Sequence, residues 1–290
     1  MLLKNYKKLC INKGDFKKIS FYLLIFFLKN EVIKMAFIKE AFSYDGIWSY
    51  DMGVMMVTQA EDVLEVPFGY NRQIIEEKVS HKTKPFFFGL DKEPLEFTIS
   101  LMPLDTQWTR DKKLKIVNWL FKDVYKPFIS EDNPDIIYYC MPIEEAHRFV
   151  NRIDQGFATI TFRCNSPYAY SPTYFKTYIS QQSSNPFEIE NLSNIEKFNY
   201  PEVEVELLTG NSFKLINLTD GGNEFSFTDL QQGEKIYVNN ESKQIISSLP
   251  NTYRLGNFNK HWLKLVQGVN RIRIEGDVNI QFRTVFPLSI

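Results

Sequence analysis

The sequence predicts a mainly β protein with one α-helix, arranged as two β-rich domains behind a short leader. Short runs of Val, Ile, Thr and aromatic residues recur along the chain, alternating apolar and polar positions and separated by Gly, Asn, Asp and Pro. A single segment, 109–121, carries the helical period instead. The 290 residues are 44% hydrophobic and 15% aromatic, enough to bury a sizeable core and too rich for disorder.

The first 34 residues differ from the rest. They hold eight Lys against Asp15 and Glu31, a net of +6, which leaves −7 for residues 35–290. The apolar run Ile19–Leu28 is about half of the ~20 residues a membrane helix needs. A basic start before a short apolar run suits a signal peptide, but Lys29-Asn30-Glu31 replaces the small-residue cleavage site. A genuine helix is a second alternative. The favoured reading is a translated leader, because Glu31-Val32 can be encoded by a ribosome-binding sequence just upstream of Met35.

From Met35 the elements follow in order. The stretch "SYDGIWSYDMGVMMV" sets Asp45 and Asp51 six residues apart around Trp48, a spacing that invites a catalytic-pair reading. Asp45-Gly46 is also a strong short hairpin signal, and Met52-Gly53-Val54 opens a strand. An extended arm runs through 68–103. Within it "LEFTISL" places Leu95, Phe97, Ile99 and Leu101 on one face and Glu96, Thr98 and Ser100 on the other. "PFFFGL" holds three consecutive Phe, which cannot all face one way on a strand. Phe86, Phe87, Phe88 and Leu90 are therefore candidate inter-subunit contacts.

The helix "TRDKKLKIVNWLF" has Thr109 as N-cap, Asp111 in its first turn and Lys122 near its C-terminal end. Its expected buried stripe is Leu114, Val117 and Phe121, widened by Leu120, and Pro127 sets the latest stop. Strands return at "PDIIYYCMP" and "GFATITFRCNSPYAY". The Ser/Asn/Pro-rich tract 171–201 reads as a boundary with one short strand. Beyond it, "EVEVELL", "SFKLINLT", "NEFSFTDL", "KIYVNN", "KQIISS", "WLKLV", "NRIRIEG" and "VNIQFRTVF" read as short strands separated by turns, among them Gly210-Asn211, Asp220-Gly221-Gly222, Asn239-Asn240 and Gly276, a sandwich or closed barrel. The expected domains are 35–172 and 173–290, with the last strand able to return to the first domain.

Catalytic and cofactor signatures are missing: no phosphate-binding loop, dinucleotide fingerprint, nucleophile elbow or zinc-protease motif. His81, His147 and His261 lie far apart in sequence and suit polar or turn positions. Cys140 and Cys164 sit in apolar runs and read as buried free thiols rather than a Cys140–His147 nucleophile pair. Glu202, Glu204 and Glu206 alternate with Val203, Val205 and Leu207, a solvated strand face rather than a calcium loop. Sequons at Asn191, Asn217 and Asn240 are short enough to arise by chance. The expectation is a protein that is not an enzyme, with no cofactor and no metal. The acidic body does not suit sequence-specific nucleic-acid binding, and no segment suits a membrane.

The order of these pieces resembles the distal tail protein (Dit) family of long-tailed, non-contractile bacteriophages. The resemblance rests on "AFSYDGIWSYDMGVMMV", the Pro- and Phe-containing arm, the helix with Trp119-Leu120, and Phe162-x-Cys164-x-x-Pro167-Tyr168-Ala169. The second-domain run from "FNYPEVEVE" to "VNIQFRTVFP" completes it. It implies a β-sandwich or barrel with one helix and an extended β-arm, followed by a galectin-like β-sandwich. It further implies a homo-hexameric ring around a DNA channel in the virion tail tip, made in the host bacterial cytoplasm. The implied partners are the tail-tube protein, the tail-associated lysin or tail-fibre base, and in some members a receptor-binding protein. A galectin-like domain leaves one alternative open, host-surface carbohydrate binding through Arg254, Asn257 and Trp262.

Overall fold

The structure, a computed structural model, describes residues 39–57, 71–143, 147–150, 155–180 and 186–290. The leader with Cys10 and the first residues of the expected arm, 68–70, lie outside the described residues. In chain order, β1 (Lys39–Glu40), β2 (Phe42–Tyr44), β3 (Ile47–Trp48) and β4 (Val54–Val57) precede a hairpin of β5 (Arg72–Glu77) and β6 (Phe86–Lys92). Next come β7 (Glu96–Pro103), the one described helix α1 (Arg110–Leu120), β8 (Lys126–Ser130), β9 (Tyr138–Pro142), β10 (His147–Val150), β11 (Gly156–Cys164) and β12 (Ala169–Tyr170). The remainder is β13 (Tyr174–Ile179), β14 (Phe187–Asn191), β15 (Glu202–Asn217), β16 (Asn223–Phe227), β17 (Lys235–Asn239), β18 (Gln244–Ser247), β19 (Gly268–Thr284) and β20 (Pro287–Leu288). The chain is mainly β, as its alternating runs predict. β8, β10 and β14 carry no clear sequence signal and are additions.

The described residues gather into two compact units. One draws on the described residues of 39–57, 97–122 and 142–162; the other on those of 71–96, 123–141 and 163–290.

In the first unit β1, β4, β7 and β11 run side by side, with β10 on β11. Asp45 and Gly46 both take positive φ, +53° and +77°, which is the twist a two-residue hairpin loop between β2 and β3 requires. The core is aromatic. Phe42 stacks on Trp119 at 5.4 Å, and Tyr44 meets Trp119 and Phe162 edge-on at 6.4 and 5.6 Å. The Trp119 indole N–H donates to the Tyr44 carbonyl at 2.8 Å, so the helix is fixed to β2 by both packing and a hydrogen bond.

Thr109 caps α1 as expected, its hydroxyl accepting from the Lys112 amide at 3.3 Å. The buried stripe is a correction. Ile116, Trp119 and Leu120 are buried, while Leu114 (54% exposed), Val117 and Phe121 face outward. Both sets fit a helical repeat, and the choice between them is made by what Trp119 can reach.

In the second unit the eight expected short strands are fewer and longer. "EVEVELL" and "SFKLINLT" are one strand, β15, and "NRIRIEG" and "VNIQFRTVF" are one strand, β19. The two pair antiparallel, Glu202 with Arg283 through Asn217 with Ile272. Gly210-Asn211, expected to turn, instead lies in an irregularity where residues 210–213 of β15 stand opposite Gly276. β17 lies beside the first half of β15 and β16 beside the second, while β13 and β14 take opposite ends of β19. Val203, Val205, Leu207, Phe213 and Leu215 of β15 share one buried cluster with Ile272, Ile274, Val278, Ile280 and Phe282 of β19. One face of a bent two-strand ribbon therefore encloses a common core on either side of the bend. Glu204, on the opposite face, is exposed.

"WLKLV" is not a strand: Leu265 makes a single backbone bridge to Asn199, and side chains satisfy the backbone groups around it. The Asn240 carbonyl oxygen Oδ1 accepts from the Leu263 amide at 2.9 Å, and the Asn217 side chain donates to the Lys264 carbonyl at 2.9 Å. Asn191 donates to the Leu265 carbonyl at 3.2 Å, and Asn270 holds both the amide and the carbonyl of Val266 at 2.9 and 2.8 Å. Each of these four Asn is buried, and an irregular buried segment needs such partners. Three of them are the sequon residues.

A buried ion pair secures the β16–β17 connection. The Arg254 guanidinium donates to both Glu234 oxygens at 2.8 and 2.7 Å, and the Ser247 hydroxyl and Gln231 amide add donations at 2.6 and 2.9 Å. Burial pushes the Glu234 carboxyl up, but the guanidinium, the amide and the hydroxyl outweigh it and hold it below the ordinary carboxylate range.

Two outcomes follow from this packing. A Cβ at Gly276, whose φ is +109°, would meet the Ser212 carbonyl oxygen at 2.8 Å and the Phe213 Cα at 3.1 Å. Gly276→Ala should cost about 1–3 kcal/mol in a denaturant titration. Gly210→Ala, with positive φ but open space around it, should cost only about 1 kcal/mol. Removing the carboxylate of a buried pair costs about 3–5 kcal/mol, so Glu234→Gln should be destabilised by nearly that much at neutral pH. Because the folded carboxyl is held low, its contribution is present above the unfolded value of about 4.3 and is lost as pH falls through the folded one. The gap between Glu234→Gln and the parent chain should therefore close in acid.

Candidate assembly surface

The β5–β6 hairpin is the most exposed element among those described. Every residue from Asn71 to Phe88 is exposed. Register assigns its faces. Arg72, Ile74 and Glu76 pair with Lys92, Leu90 and Phe87, and cross-strand partners share a side of the ribbon. Gln73, Ile75 and Glu77 pair with Asp91, Gly89 and Phe86 and present the other side. Phe88 has no partner, since the register shifts between Ile75 and Glu76, and Gly89 with φ +153° provides the bulge. Ile74, Leu90 and Phe87 thus line one face and Ile75 and Phe86 the other, with Ile74 61%, Phe87 64% and Phe88 66% exposed. The bulge explains how three consecutive Phe are accommodated.

The root of the hairpin is anchored. Buried Leu95 exchanges backbone hydrogen bonds with its surroundings, its amide donating to Ser166 at 3.1 Å and its carbonyl accepting from Cys164 at 2.7 Å. The Lys92 ammonium donates to the Tyr168 hydroxyl at 2.9 Å. This gives the Cys164…Tyr168 motif a physical role: it holds the base of the arm. The tip carries Lys78, His81, Lys82 and Lys84, with the Lys82 ammonium 4.3 Å from the centre of the Phe86 ring. A lone two-stranded hairpin is marginally stable in water, and exposed apolar side chains on both faces are the signature of a surface awaiting a partner.

The carbohydrate candidates lie elsewhere. Arg254 is engaged by Glu234 and also donates to the Asp229 carbonyl and the Asn257 side chain at 3.1 and 3.3 Å. Trp262 packs edge-on against buried Phe258 at 4.9 Å. A separate shallow groove of about 450 Å³ is lined by Phe198, Tyr200, Glu196 and Gln267, and Lys264 covers the Phe198 ring at 3.9 Å.

Asp45 and Asp51 occupy turns on either side of β3, Asp51 donating its amide to the Trp48 carbonyl at 3.1 Å. His81 is in the hairpin tip, His147 in β10, and His261 in the loop after Phe258. Among the described residues no cluster of His, Cys, Asp or Glu is gathered as a metal cage, and no helix is long and apolar enough to cross a membrane. Cys140 and Cys164 are buried and form no disulfide. Burial, joined by the neighbouring Cys164 sulfur, pushes the Cys140 thiol well above its usual range, so it carries no thiolate at neutral pH. In a Cys10→Ser chain, a disulfide thiol reagent should label neither cysteine under native conditions and both after unfolding.

Comparison with known proteins gives two family models, a relative and a solved structure. A family model described as a phage tail protein N-terminal domain matches residues 37–166, and one described as a phage tail C-terminal domain matches residues 168–284. The SPbeta prophage-derived protein YomH of Bacillus subtilis (strain 168) is 26% identical over 244 residues, covering 83% of this chain and 95% of that protein. Among solved structures, the Dit protein of phage SPP1, described as a paradigm of the hub adsorption apparatus in phages infecting Gram-positive bacteria, superposes with a TM-score of 0.64. The match covers 85% of this chain and 99% of SPP1 Dit at 14% identity, a likeness of fold.

Proposed function

This chain belongs to the family of phage tail proteins whose N- and C-terminal domain models match it in order, and from that membership we propose that it is the hub ring of a tail tip or baseplate. Six copies close around a channel for DNA, with residues 35–172 building the ring and the galectin-like domain, 173–290, on its outside. The ring joins the tail-tube protein to the tail-associated lysin or tail-fibre base, and a receptor-binding protein can attach to it. The role is structural rather than catalytic, and its place is the virion.

The observation that carries this reading is the β5–β6 hairpin, anchored at its root and apolar on both faces along its length. Exposed apolar side chains contribute little to the stability of a single copy and much to an interface that buries them. A closed ring uses contacts between different patches of neighbouring copies, which an arm of this kind supplies.

The purified chain should sediment as a closed oligomer, alone or with the tail-tube protein. Ile74→Ser with Phe87→Ser should abolish that assembly while shifting single-chain stability by no more than about 0.5 kcal/mol, because both side chains are exposed. A strictly monomeric species in both conditions would overturn the ring.

A further inference from the structure

The hairpin tip and the β8–β9 loop carry opposite charge. Lys78, Lys82 and Lys84 stand with His81 at the tip, and residues 78–84 contain no carboxylate. All are exposed, and the three lysines make no ion pair among the described residues. The loop from Glu131 to Asp135 is the converse: it holds no basic residue, and Asp132 and Asp135 are exposed carboxylates. The Asp132 carboxylate accepts from two neutral groups, the Ser130 hydroxyl and the Asn133 amide, which fix its orientation without cancelling its charge.

Reach and placement set the partner. The hairpin strands carry the tip about 20 Å from its root at the usual rise per residue. Its two faces meet solvent throughout, so nothing along that length belongs to the core of its own copy. The chain from residue 35 on is otherwise acidic, net −7, which makes the basic tip the odd part of the molecule and another copy its natural complement. Tip and loop are different patches, so pairing one with the other between copies is a heterologous contact, the kind that closes a ring.

We propose that the basic tip of the β5–β6 hairpin of one copy docks on the acidic β8–β9 loop of a second copy, burying the Ile74–Phe87–Leu90 face as it does so; this rests on the ring reading above. The apolar face supplies most of the affinity. The charges choose the partner and fix the register, and they make assembly sensitive to salt.

Two reversed chains test the contact by sedimentation at low and high salt, with circular dichroism as the folding control. One carries Lys78→Glu, Lys82→Glu and Lys84→Glu; the other Asp132→Lys and Asp135→Lys. Each alone should need about a hundredfold or more higher concentration to assemble at low salt, since like charges then face each other. An equimolar mixture should recover assembly, because each reversed tip then meets the reversed loop of the other chain. A neutral set, Lys78→Gln, Lys82→Gln and Lys84→Gln, replaces a reversed chain that does not fold and should cost about tenfold. Reversed chains that assemble like the parent, or a mixture that fails to recover, would sink the tip-to-loop contact and leave the ring standing. Tip reversal that spares self-assembly but abolishes binding of the tail-tube protein would assign the tip to that protein instead. A parent chain monomeric both alone and with the tail-tube protein would remove the ring and this contact together.

Discussion

The second unit depends on one constraint, the antiparallel pairing of two long strands that bend at the same place. β15 and β19 each carry their core residues on a single face, and a flat ribbon would leave that face to solvent. At the bend Gly276 lies against the Ser212 carbonyl with no room for a side chain, and the register slips between Thr209 and Lys214. The same face can then line both sides of one core, Val203 to Leu207 in one half and Phe213 to Leu215 in the other. β13, β14, β16 and β17 attach to the halves of this ribbon, and β18 extends the sheet from β17.

Closing a core this way leaves connecting segments with buried backbone groups, and the chain meets that cost with asparagine. Asn191, Asn217, Asn240 and Asn270 converge on residues 263–266, Asn191 and Asn217 as donors, Asn240 as acceptor and Asn270 as both, and the backbone of Asn199 bridges to Leu265. Glu234 and Arg254 do similar work at the other loops, a charged pair made tolerable by complete hydrogen bonding. Side chains held in this way are poorly placed to serve a soluble ligand as well. That bears on Arg254 and Asn257, whose polar groups already have protein partners.

The hairpin of β5 and β6 has the opposite character. Its root is fixed by Leu95, Lys92 and the Cys164–Tyr168 segment, and its apolar side chains Ile74, Ile75, Phe86, Phe87, Phe88 and Leu90 are exposed. A protein that buries its core so thoroughly elsewhere has no need of this arm for its own stability. The ring proposed above gives the arm a use, because the exposed apolar side chains of one copy are then covered by another. In the first unit, by contrast, Trp119 ties α1 to β2 and leaves Leu114, Val117 and Phe121 outside.

What the sequence determined by itself is whatever short-range physics decides. Alternation set the faces of Leu95–Leu101 and Glu202–Leu207, Asp45-Gly46 set a hairpin turn, Thr109 set a helix start, and Phe86–Phe88 marked the exposed arm. The tertiary structure decided what depends on a distant partner. Two periodic stripes on α1 were equally helical until Trp119 found the Tyr44 carbonyl 75 residues away. Gly210 and Gly276 read as turn residues because a bulge and a turn make the same local demand, positive φ, and only the opposing strand tells them apart. Residues 262–266 had the composition of a strand, yet beyond one backbone bridge at Leu265 the segment is held by asparagine side chains brought in from four other places in the chain.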